Sequence, residues 1–225
     1  MQTSLCIGAG TGIGVATAKR FGRERYRVVP VTRSEADNDR LREFLKDDSL
    51  DVRFEAVKAS DSTQIAALVD KYANDHLDIV HYNAAGMHYD AAGTLVMQGI
   101  EKQSPSAIAT GIAFNVSSAL ATPATVIPVM TARQSGTILL TGDGLDVEPS
   151  ADLLTLSVGK AAMRTMGQAL FSPFKEQGVH IATVRVSTLV TSDPAHPAKI
   201  ADEFWNLHAQ ERAAWTWQAI YPRAA

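Results

Sequence analysis

Short runs rich in Val, Ile and Leu alternate along this chain with longer stretches of helical spacing, and that alternation constrains the fold more than any other feature. A strand running parallel to its predecessor needs a crossover long enough to hold a helix. The pattern therefore predicts an α/β fold, a mostly parallel sheet of six or seven strands with helices on both faces. Strands are expected at "SLCIG" (4–8), "RVVPVT" (27–32), "VRFEAV" (52–57), "DIVHYN" (78–83), "TILLT" (137–141) and "VHIATVRV" (179–186), with a weaker seventh at "WQAIY" (217–221). Helices are expected near 13–25, 35–47, 62–74, 104–133, 152–177 and 198–212, with Ser34 and Asp61 as N-caps. Pro123 and Pro128 predict a kink or break in the fourth helix, and Pro173 a disturbed end to the fifth. The polar, proline-bearing stretch 187–198 reads as a mobile loop.

With 46% hydrophobic residues in 225, the chain can bury one sizeable core, so a single domain over 1–225 is expected. A net charge of −3 without a dense Lys/Arg block argues against nucleic acid or an anionic membrane as partner. Small molecules and copies of the chain itself remain. Apolar runs such as "IPVM" and "TILL" fall far short of the roughly 20 residues that span a bilayer, and no leader pattern precedes Gly8, so a soluble, cytoplasmic protein is expected. Cys6 has no second cysteine to pair with and reads as core filler. The six histidines lack metal-binding spacing, so no metal site is expected.

The first apolar run leads directly into "IGAGTGIGVATAKRF", whose Gly8, Gly12 and Gly14 are spaced G-x-x-x-G-x-G. Neither the G-x-G-x-x-G nor the G-x-x-x-x-G-K-[ST] spacing is met. Glycines at a strand-to-helix turn still permit close backbone approach, and the free N–H groups of the helix start attract pyrophosphate. At the end of the second run, "VVPVTRS" places Arg33 and Ser34 where a carboxylate would select NAD, which favours NADP, with NAD the alternative.

Taken in order, "GAGTGIG" (8–14), "YNAAG" (82–86), "AFNV" (113–116), "GTILLT" (136–141) and "SVGKAAM" (157–163) resemble the short-chain dehydrogenase/reductase superfamily over nearly the whole chain. The resemblance implies a Rossmann-type doubly wound sheet, a nicotinamide dinucleotide across its carboxyl edge, and dimers or tetramers built through two long helices. It places Gly8, Gly12, Ile13 and Gly14 at the pyrophosphate turn, and Asn83 and Ala84 in support of the adenosine side. Asn115 matches the asparagine that holds a proton-relay water, and Lys160 the lysine that binds the nicotinamide ribose.

The same resemblance exposes departures. Leu156 stands at the position of the proton-donating tyrosine, and Asp143 at that of the serine that orients the substrate carbonyl. Lys58 replaces an adenine-contacting aspartate, and "VSTLVT" (186–191) replaces a Pro-Gly loop start. Three functions fit: a carbonyl/alcohol oxidoreductase with a substitute proton donor, a dinucleotide-binding sensor or partner subunit, and an interaction protein without cofactor. Asp143, His88 and Tyr89 are the candidate substitute donors, with Asp143 also the expected ionic neighbour of Lys160. The aromatic segment "FWNLHAQERAAWTW" (204–217) reads as core packing. Any functional role for it would be to shape an apolar pocket with Leu156 and Met87.

Overall fold

A computed structural model of the chain describes residues 1–46, 49–86 and 94–222. Its strands are β1 (Thr3–Ile7), β2 (Arg27–Thr32), β3 (Glu55–Ala56), β4 (Leu77–Tyr82), β5 (Gly136–Asp143), β6 (Val179–Val186) and β7 (Gln218–Tyr221). All seven lie in one parallel sheet in the order β3-β2-β1-β4-β5-β6-β7. The order reverses between β1 and β4. In open α/β sheets that reversal opens a crevice at the carboxyl ends of the strands, where ligands bind.

The helices are α1 (Ile13–Arg23), α2 (Glu35–Leu45), α3 (Ser62–Ala73), α4 (Pro105–Ile112), α5 (Ser118–Ala132), α6 (Leu154–Lys175) and α7 (Ala195–His208). Alternate strand residues divide the core into two layers, as strand periodicity requires. Leu5 and Ile7 point to the side of α3, α5 and α6, where Leu68, Val126 and Met163 meet them. Cys6 and Val28 point to the side of α1, α2 and α7, against Phe21, Leu41 and Phe204. Cys6 is a buried free thiol, as core filler should be. Ser34 and Asp61 cap their helices, the first accepting from the Asp37 N–H and the second from those of Thr63 and Gln64.

Several expectations are corrected. The expected strand over 52–57 pairs only at Glu55–Ala56 and, as an isolated bridge, at Val52. Pro123 and Pro128 lie inside α5 without ending it, and α6 runs through Pro173 to Lys175. The break in the fourth helix comes earlier, as a π-helical turn at Ala113–Ser117. Such turns interrupt α-helices most often at functional sites. The seventh helix begins at Ala195, inside the expected loop. By length and composition, the helical stretch Pro105–Ala132 is long and apolar enough to cross a membrane, a property the short apolar runs conceal. In the fold it lays Ser118, Ala119, Thr122, Val126 and Met130 against the interior.

Candidate active site

The glycine turn leaves β1 at the sheet's point of reversal. Gly8 has φ +81, and a Cβ on it would stand 2.4 Å from Ala84 Cα, so only glycine lets the turn lie on the end of β4. Gly14 is equally tight against Ala9, at 2.6 Å. Gly12 differs: its nearest neighbour is Val190 Cγ1 at 3.8 Å, and Gly10, which the spacing argument passed over, meets nothing within 4 Å. The turn is thus pinned at its ends and open in its middle. Helix α1 begins at Ile13 with no side-chain cap and no acidic residue in its first turn, which leaves its positive end free for an anion. An open cradle facing an uncapped helix start fits the pyrophosphate of a dinucleotide.

Asn83 closes the end of β4 onto that turn. Its N–H donates to Ile7 O at 2.9 Å and its Nδ2 to Gly8 O at 2.8 Å. At the end of β2, the Arg33 Nε donates to Asp37 Oδ2 at 2.8 Å, and Arg40 approaches the other oxygen at 3.6 Å. The Arg33 hydrogen bond, with Ser34, holds the Asp37 carboxyl below the usual carboxylate range despite some burial. Because the Arg33 side chain is 75% exposed, this ion pair is worth at most about 1 kcal/mol, and an incoming phosphate can displace it.

Lys160 is buried, with 4% of its surface exposed, and Nζ donates to the backbone oxygen of Thr141 at 2.8 Å. Burial lowers its pKa to about 8, against the opposing pull of Asp143 and Asp146. Asp143 is an ionic neighbour of Lys160, as expected, but it acts through space, and the direct partner is the Thr141 carbonyl. Asp143 Oδ1 instead accepts the Leu145 N–H and caps the 3-10 turn Gly144–Asp146. The side chain of Asp146, in that turn, is shielded from solvent between Arg185 (3.2 Å) and Arg164 (4.0 Å). Burial pushes its carboxyl up despite the two arginines.

Asn115 sits in the π-helical turn with no exposure, accepting the Gly86 N–H on Oδ1 at 2.9 Å. Its Nδ2 has no partner among the described residues. Tyr82 OH donates to Phe114 O and so ties the same turn to β4. Helix α6 comes close because Gly159 lacks a side chain: a Cβ there would stand 2.2 Å from Asn115 Cβ. Gly159 thus sets the approach of α6 to Asn115 and was missed, since only the three-dimensional neighbour gives it meaning.

A cleft of about 140 Å³ opens beside these residues, lined by Gly86, Val96, Ala107, Leu153 and Leu156, with Gln98, Gln103, Asp152 and Thr155 supplying polar groups. Neither Lys160 nor Asp143 lines it. Leu156, one helical turn before Lys160, gives the cleft only carbon. Trp205 packs on Phe21 and under Arg20, and Trp215 stacks on His180, so the aromatic segment does not reach the cleft. The candidate donors His88 and Tyr89, and Met87, lie outside the described residues.

A family model described as short chain dehydrogenase matches residues 2–196. The chain belongs to the short chain dehydrogenase family. Among its relatives, the oxidoreductase asL5 of Sarocladium schorii is 26% identical over 190 residues, 84% of this chain and 73% of its own length. A metagenomic short-chain oxidoreductase solved in complex with NADP superposes with a TM-score of 0.84 at 21% identity, covering 97% of this chain and 96% of that one. A short-chain dehydrogenase from Rhodopseudomonas palustris matches with a TM-score of 0.84 at 18% identity, covering 99% of both chains. Short chain dehydrogenases are oxidoreductases, and the seven-stranded parallel sheet described above is the fold this chain shares with both solved structures.

Proposed function

We propose that this chain is an NADP(H)-dependent oxidoreductase of a small carbonyl/alcohol pair, with Leu156 at the place of the usual proton-donating tyrosine. The observation that carries the reading is the buried ammonium of Lys160, held on Thr141 O behind a glycine turn whose middle is open. Gly8, Gly12, Ile13 and Gly14 would cradle the pyrophosphate, Arg33 and Ser34 the 2′-phosphate, and Asn83 and Ala84 would support the adenosine side. The cofactor supplies or accepts a hydride when bound. Lys160 holds a proton at Nζ, and with a pKa of about 8 it releases that proton near working pH. Asp143 keeps Lys160 charged through space, and Asn115 offers a buried Nδ2 to a relay water. NAD is the weaker cofactor in this reading, because the end of β2 presents a cation.

Helices α5 and α6 carry Leu120 and Val158 about half exposed, which supports a homodimer or homotetramer built through these two helices. The reading is of one domain working in the cytoplasm, where the lone buried thiol needs no oxidising partner.

A second reading, dinucleotide binding without turnover, is favoured by the same Leu156 and by an Asp143 engaged in its own turn. The test is NADPH binding by fluorescence, followed by NADPH oxidation across aldehydes, ketones and quinones. Binding with turnover supports the enzyme, binding alone supports the sensor or partner subunit, and absence of binding overturns both.

A further inference from the structure

Beneath the site runs a hydrogen-bond chain, buried at its inner end, whose Cys6, His81 and Thr141 side chains the proposed chemistry does not use. Cys6 Sγ lies 3.6 Å from His81 Nδ1, and His81 Nε2 lies 2.8 Å from Thr141 Oγ1. Thr141 Oγ1 lies 2.9 Å from Asn83 Oδ1, and Asn83 Nδ2 lies 2.8 Å from Gly8 O. Gly8 O can only accept, which sets the direction of every bond. Asn83 must turn Nδ2 to Gly8 and Oδ1 to Thr141. The Thr141 hydroxyl then donates to Asn83 and accepts from His81 Nε2–H. That leaves His81 Nδ1 bare, to accept the Cys6 thiol proton.

The chain works with all members neutral, and burial keeps them so. Burial, aided by the charge of Lys160, lowers His81 to about 3, and burial raises Cys6 to about 12. One proton arrangement therefore persists across the working pH range. Thr141 is the joint of this system, because its carbonyl also receives Lys160 Nζ at 2.8 Å. One residue thus holds the glycine turn through its hydroxyl and the buried lysine through its backbone.

We propose that Thr141, set by His81, is a positioning residue that fixes the glycine turn and Lys160 relative to each other, so that the two ends of the dinucleotide site keep one spacing. The inference rests on the NADP(H) reading above. A fully satisfied buried network rigidifies what it connects, whereas a half-satisfied one leaves costly unpaired groups. Thr141→Val keeps the volume and the carbonyl and removes only the hydroxyl, leaving Asn83 Oδ1 and His81 Nε2–H unpaired.

The experiment measures NADPH affinity by fluorescence, melting temperature, and hydrogen exchange of the Gly8 and Ala9 amides, which donate to Val31 O. Thr141→Val is expected to weaken NADPH binding about tenfold and to speed exchange at Gly8 and Ala9, while Thr141→Ser stays within about threefold of wild type. A lowered melting temperature with unchanged affinity and exchange would make Thr141 merely structural and overturn the inference. Should Thr141→Val fail to fold, His81→Phe decides by the same readouts, with about a threefold loss of affinity expected and no change contradicting it. A wild-type protein that does not bind NADPH overturns the NADP(H) reading and the inference with it. Wild-type binding with unaltered variants overturns the inference alone.

Discussion

At the carboxyl ends of β1 and β4, the polar groups beneath the glycine turn are joined into one hydrogen-bond chain from Cys6 to Gly8. At the start of α6, the cleft meets Leu156, Leu153 and Val96, and the nearby Asp143 carboxylate is spent on its own 3-10 turn. The first region is over-determined: glycines, Asn83 and Thr141 each fix the others. Among the described residues, the second region offers an apolar wall at the expected donor position, with Asp152 and Thr155 its nearest polar groups. In the proposed function, this contrast translates into tight NADPH binding with slow turnover, and each half can be broken separately.

The largest effect expected within the anchoring half separates its glycines. Gly8→Ala meets both a left-handed φ and a 2.4 Å approach to Ala84, so a stability loss of at least about 3 kcal/mol is expected in denaturant titration. Gly12→Ala meets open space, so stability stays within about 1 kcal/mol while NADPH affinity falls about tenfold or more. Equal loss of stability in both variants would erase the distinction between pinned ends and open middle.

Lys160→Met removes the group on which both halves converge, and NADPH-dependent turnover should fall about 10²- to 10⁴-fold in steady-state assays. The same variant isolates a pH effect. Lys160 titrates at about 8 in the folded protein and at its ordinary 10.5 when unfolded, so between those values the unfolded chain binds more protons. The penalty of burying the charge is present below pH 8 and is relieved as pH rises, so wild-type stability should gain on the variant by about 3 kcal/mol between pH 8 and 10.5. A flat difference would mean that Lys160 is not held as a buried cation.

Smaller changes are expected at the adenosine end. Arg33→Ala should reduce the preference for NADP over NAD about tenfold in paired affinity measurements. Asp37→Asn, which frees Arg33 and Arg40, should strengthen NADP binding by about two- to threefold. An unchanged preference in Arg33→Ala would remove Arg33 from the site.

Much of the fold was legible because period and punctuation agreed. Apolar runs marked the strands, and Ser34 and Asp61 announced their helices with side chains suited to capping. Pro123 and Pro128 did not end α5, because a proline's cost depends on its surroundings. Pro123 packs in the interior of α5, and the helix continues past it and past Pro128 to Ala132. The π-helical turn leaves no signature in composition, and the bonds that hold it, Tyr82 OH on Phe114 O and the Gly86 N–H on Asn115 Oδ1, reach across the fold.

At the site, the positions of Gly8, Asn83, Asn115 and Lys160 followed from motif order. Their partners did not, since His81 and Thr141 look like ordinary strand residues until β4 and β5 pair in register. Asp143 is an ionic neighbour of Lys160, as expected, but acts through space, because its oxygen is taken by the Leu145 N–H of its own turn.

The contrast between the two halves is tested most directly by Leu156→Tyr, which places a phenol on the cleft wall one turn before Lys160. NADPH affinity and NADPH oxidation over the same carbonyl panel are compared with wild type. The account predicts affinity unchanged within about threefold and turnover raised at least about 10²-fold. Turnover that does not rise in a folded, NADPH-binding Leu156→Tyr protein would contradict the claim that the proton-delivering half is what this site lacks.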